Sequence, residues 1–109
     1  MNDNFKCIYT ILRTLEAAMD YPEYDFSIIS HTALGISKER WNCYIEMLSE
    51  NDYIKDVIIR KYPYDDGEMV IDISSMKITL KGLEYLSGNS IMQRLYKAAK
   101  GIKDITPGL

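Results

Sequence analysis

Between Asn4 and Met19, the residues Phe5, Ile8, Leu12, Leu15 and Met19 recur at alternating steps of three and four. That spacing lays apolar side chains along one stripe of a helix. The helix is predicted to end before Pro22, and Tyr24-Asp25-Phe26 reads as a short extended segment beyond it, proline disfavouring helical angles in the residue before it. Ser27 to Leu34 is a second, short helix stopped by Gly35, which suits the left-handed position after a helix end. A third helix starts at Ser37, a capping residue flanked by Ile36 and Trp41 at the spacing of a hydrophobic staple. Trp41, Tyr44, Ile45 and Leu48 form its buried face, and Asn51-Asp52 ends it.

The pattern then changes. Tyr53 to Arg60 and Met69 to Ile73 are rich in β-branched residues and predict two antiparallel strands. Pro63 to Glu68, with Asp66-Gly67 at its centre, supplies turn chemistry for a hairpin with a long tip. Thr79 caps a fourth helix carrying Leu80, Leu83 and Leu86, in which Gly82 is suited to close backbone contact. A last helix from Ser90 carries Ile91, Leu95, Ala98 and Ile102 on one face, with Arg94, Lys97 and Lys100 around the other. The order of helix, short strand, two helices, hairpin and helix predicts an α+β winged helix: a three-helix bundle with a small antiparallel hairpin wing, plus C-terminal helices. Residues 1–88 are assigned to the winged-helix domain. Residues 89–109 form a basic amphipathic helix that packs on that domain or serves dimerisation.

At 109 residues the chain has the length of one domain, and its 47% hydrophobic and 27% charged residues are those of a folding globular protein. Cys7 and Cys43 belong to no metal-binding pattern and suit reduced thiols in a cytoplasmic protein. No signal-peptide pattern opens the sequence and no apolar run reaches the length of a membrane span, which predicts neither secretion nor membrane insertion.

Four stretches resemble the YjcQ family of small bacterial and prophage proteins: Asn4-Phe5-Lys6, the run from Leu34 to Trp41, Asp52-Tyr53-Ile54-Lys55, and the run from Ile78 to Leu86. The resemblance spans nearly the whole chain and implies a winged-helix fold. It brings no catalytic or ligand-binding residues with it, and a prophage setting suggests regulation by association only.

No catalytic, cofactor or metal site emerges from the residues. His31 has no Cys, Asp or Glu at ligand spacing, and nothing in the sequence activates Cys43 as a nucleophile. There is no glycine-rich phosphate loop, and Asp65, Asp66 and Glu68 lack the spacing of a calcium loop. A non-enzymatic protein follows.

Two partner classes remain. Winged helices commonly place the third helix in the major groove of double-stranded DNA, which makes Lys38, Arg40 and Asn42 the candidate contacts there and Arg60 and Lys61 the candidates at the wing base. The net charge is −3, however, and the outward face of the third helix is centred on Glu39, Cys43, Glu46 and Glu50. Positive charge gathers late: residues 81–109 carry five basic and two acidic side chains. The fold favours a DNA-binding transcriptional regulator, which is the leading expectation; the alternative, favoured by the surface chemistry, is a protein-interaction module using the acidic third-helix face or the wing tyrosines Tyr62 and Tyr64. Ile91, Leu95, Ala98 and Ile102 are the candidate contacts for a homodimer or for docking on the first helix.

Overall fold

The computed structural model describes residues 3–61 and 69–99. Helix α1, Asp3–Ala18, is the element against which the others assemble: a 3₁₀ turn at Phe26–Ile29, strand β4 (Lys77–Ile78), helix α4 (Leu80–Ser87) and helix α5 (Ser90–Ala99) all pack on it. Leu12 and Leu15 of the predicted stripe are buried, joined by Tyr9 and Ile11, but Phe5 is 51% and Met19 62% exposed. Phe5 lies near the start of the helix, and Met19 falls just past its last residue, Ala18, in the turn that follows. Sixteen residues extend roughly 24 Å at 1.5 Å per residue, so the ends of the helix overhang the core.

The segment after α1 differs from expectation in two respects. No strand forms at Tyr24 to Phe26, and the predicted second helix is split into the 3₁₀ turn and the four-residue α2, His31–Leu34. Local side-chain hydrogen bonds cause both. The Asp25 carboxylate accepts from the Ser27 amide at 2.9 Å and starts the 3₁₀ turn, and Ser30, itself extended, accepts from the Ala33 amide at 3.2 Å and restarts the helix. Gly35, at φ 71°, then takes the left-handed position predicted for it.

Helix α3, Lys38–Glu50, begins where the sequence places it, with the Ser37 hydroxyl accepting from the Arg40 amide at 3.1 Å. Trp41, Tyr44, Ile45 and Leu48 are buried, and the Trp41 indole donates to the Ile29 carbonyl at 2.8 Å.

The predicted hairpin resolves into two separate antiparallel ladders. Strand β1 (Ile54–Lys55) pairs with β4, and β2 (Ile58–Lys61) pairs with β3 (Met69–Asp72). The break between β1 and β2 falls at Asp56, whose φ of 61° turns the chain out of extended geometry. The β2–β3 pair is the wing, and the predicted tip at Pro63 to Glu68 lies outside the described residues. Three main helices with this antiparallel wing make a winged-helix-like fold.

Thr79 starts α4 and ties it to the end of α3: its hydroxyl accepts from the Gly82 amide at 3.1 Å and donates to the Asp52 carbonyl at 2.5 Å. Leu86 is buried as predicted, whereas Leu80 is 72% exposed. Steps of three fall short of a helical turn by roughly 60°, so Leu80 and Leu86 point about 120° apart and cannot share one core face. Helix α5 docks through Tyr96, whose ring meets the edge of Tyr9 at 5.8 Å and lies under the Arg13 guanidinium at 5.1 Å.

Two predictions follow from this packing. A Cβ on Gly82 would stand 2.5 Å from the Tyr53 carbonyl oxygen and 2.6 Å from Ile78 Cγ1, whereas one on Gly88 meets nothing closer than 3.5 Å. Gly82→Ala is therefore expected to lower urea-unfolding stability by about 1–3 kcal/mol, with Gly88→Ala as a near-neutral control. The second concerns alkaline pH. Burial raises the pKa of Tyr9 and Tyr85 above the ordinary value, and the Tyr9 hydroxyl is buried without a hydrogen-bond partner. Folding holds these protons more tightly than the unfolded chain does, so the associated stability is intact below the unfolded-state value of about 10 and is lost as pH rises through the folded values. Thermal unfolding followed across this range is expected to show the loss, and Tyr9→Phe to reduce it without destabilising the protein at neutral pH.

Candidate functional site

The outward side of α3 and the start of α1 together make a groove of about 600 Å³. Phe5 and Ile8 of α1 and Cys43 and Met47 of α3 line it, with Glu39 and Arg40 at one end. The groove follows from the overhang of α1: Phe5 projects past the core, and Met47, 45% exposed, meets the same space from α3.

Arg40 spans the two helices. Its guanidinium donates to the Asn4 side-chain oxygen at 2.7 Å and to the Tyr44 hydroxyl at 3.4 Å, and Tyr44 donates to the same Asn4 oxygen. The hydrogen bond to Tyr44 pushes the Arg40 pKa further up from its ordinary value. Arg40 is thus held over one end of the groove while remaining exposed.

The wing base reaches the same face. Lys61 Nζ lies 3.0 Å from Glu46 Oε2, and this contact raises the lysine pKa. Glu39 and Glu50 are exposed and Glu46 is half-buried, so the predicted acidic face is assembled, with one wing cation set against it.

The five candidate DNA contacts occupy different surroundings. Lys38, Arg40, Arg60 and Lys61 are exposed, and the last is paired with Glu46. Asn42 is buried, at 9% exposure. Of the candidate interface residues on the last helix, Leu95 and Ala98 are exposed, since α5 docks through Tyr96 on another side of the helix. The side chain of Ile91 and the whole of Ile102 lie outside the described residues, as do Tyr62 and Tyr64.

The groove itself was missed in the sequence. Phe5 fits the apolar stripe of its helix and so reads as core, and no local pattern reveals that Met47 and Cys43 would face it across 40 residues of chain or so. The cap at Ser37 places Arg40 in the first turn of α3, and its contact with Asn4 at the start of α1 comes only from the tertiary fold.

Among the described residues, no group of three or more His, Cys, Asp or Glu side chains is placed to hold a metal ion. No helix among them is long and apolar enough to cross a membrane. Cys7 and Cys43 form no disulfide.

No curated protein matches the chain. A family model described as YjcQ protein matches residues 9–105, which takes in α1 from Tyr9 onward, α3, both ladders, α4 and α5. With nearly all of its folded elements inside that match, the chain belongs to the YjcQ family.

Proposed function

We propose that this protein is a non-enzymatic winged-helix-type interaction module whose α3 face and α1–α3 groove receive a protein segment carrying apolar and basic side chains at helical spacing. The observation that carries this reading is the combination of an apolar groove, lined by Phe5, Ile8 and Met47, with the acidic row Glu39, Glu46 and Glu50 on the same helix. An amphipathic helix laid in such a groove buries its apolar residues while its cations meet the carboxylates. Phosphates approaching the same face would meet that acidic row, and Lys61 is already engaged by Glu46.

A DNA-binding transcriptional regulator is the second reading, favoured by the exposed Lys38 and Arg40 at the first turn of α3 and Arg60 on the wing. Asn42 does not support it, because a base contact needs a side chain that reaches solvent.

The leading reading predicts that a synthetic amphipathic helix of leucine and lysine, titrated into the isotopically labelled chain, shifts the backbone resonances of Phe5, Cys43 and Met47. Its leucine and glutamate counterpart should leave them in place, and the double change Glu39→Gln with Glu50→Gln should weaken the lysine peptide several-fold, more at low salt than at high. Absence of shifts with the lysine peptide, or equal shifts with both peptides, would overturn the proposal.

A further inference from the structure

A second cavity, of about 890 Å³, lies at the other end of α1, well away from the α1–α3 groove. One wall is the chain leaving α1. Pro22 cannot continue the helix, and the Asx turn at Asp25 brings Phe26 in toward the core, so the aromatic side chains of this stretch are drawn into a run. Tyr21 and Tyr24 have ring centroids 5.8 Å apart, and Tyr24 and Phe26 5.6 Å apart, with interplanar angles of 45° and 43°. The inner end of the run is packed against the core, and the outer end, Tyr21, is 60% exposed.

The opposite wall is the β1–β4 ladder and the turn before it. Lys55 and Lys77 are direct cross-strand partners there, both exposed and both lining the cavity. Like charges placed opposite each other on an antiparallel pair repel, and an anion between them relieves that repulsion. Glu23 and Asp56 also line the cavity, offering acceptors for N–H or O–H donors on the same ligand. The volume falls in the range of small-molecule sites, and the walls combine apolar surface with a few polar groups.

We infer that this cavity is a binding site for a mononucleotide-type ligand: a flat heteroaromatic ring stacks on Tyr21 and Tyr24 while its phosphate lies between Lys55 and Lys77. Stacking on tyrosine supplies attraction to any base, and the lysine pair supplies charge specificity. The same base-plus-phosphate chemistry occurs in a free nucleotide and in a single strand of nucleic acid. The net charge of −3 favours the free nucleotide, since a polymer brings many phosphates up to an acidic protein.

The test is isothermal titration of the full chain with adenosine monophosphate, adenosine, inorganic phosphate and a single-stranded oligonucleotide of about 15 residues. Adenosine monophosphate is expected to bind more tightly than adenosine or phosphate alone, and at least as tightly per site as the oligonucleotide. Tyr21→Ala and the double change Lys55→Gln with Lys77→Gln should each weaken it about tenfold, while Tyr21→Phe, which keeps the ring, should not. All of these side chains are exposed, so the variants are expected to unfold at the same temperature as the parent chain. No heat with adenosine monophosphate, or binding that none of these changes weakens, would overturn the inference. Markedly tighter binding of the oligonucleotide would overturn the choice of a free nucleotide. Because the variants lie outside the α1–α3 groove, either result leaves the interaction-module reading to be judged by its own titration.

Discussion

The position of α3 depends on one buried hydrogen bond, from the Trp41 indole to the Ile29 carbonyl at 2.8 Å. Ile29 ends a 3₁₀ turn whose carbonyl has no continuing helix to accept from, and burial would leave it costly without a partner. Trp41 meets that need while filling the core beside Ile29 and Ile45, so polar satisfaction and apolar packing select the same rotation of α3. With Trp41 inward, Tyr44, Ile45 and Leu48 follow on the same face, and Glu39, Cys43 and Glu50 are turned to solvent. The chemistry that α3 presents outward is therefore a consequence of how it is fixed inward.

The remaining contacts extend this arrangement to both ends of the helix. Arg40 and Tyr44 converge on Asn4 and hold the start of α1 beside α3, which shapes the groove. Thr79 binds the Asp52 carbonyl and the Gly82 amide together, joining the exit of α3 to the entrance of α4. Gly82 permits the close approach of Tyr53 and Ile78 that this junction requires. The wing is tied down by exposed Lys61 and half-buried Glu46, a surface pair that fixes geometry more than it adds stability.

Elements set by short-range rules were legible in the sequence. Ser37, Thr79 and Gly35 act through their own backbone neighbours, and each appears where its residue type predicts. The buried face of α3 was legible because four large apolar residues share one side of an uninterrupted helix. Long-range consequences were not. Whether Phe5 and Met19 are covered depends on how far other elements reach along α1, and the separation of β1 from β2 depends on a left-handed Asp56, a residue type that seldom announces that conformation. The acidic outer face of α3 could be read from helical angles alone, but its pairing with Lys61 and its neighbouring groove required the tertiary fold. Tyr21, Tyr24 and Phe26 were visible as residues, yet their alignment into a ring run depends on the turn after Pro22.

On the proposed reading, the outward face of α3 serves a protein partner in place of nucleic acid. Fluorescence anisotropy of a labelled random-sequence duplex, titrated with the purified chain at roughly 50 and 200 mM salt, separates the two partner classes. No rise in anisotropy is expected at either salt concentration. A rise at low salt that falls steeply at high salt, and that Arg40→Ala abolishes, would contradict that reading and establish α3 as a DNA-contacting helix.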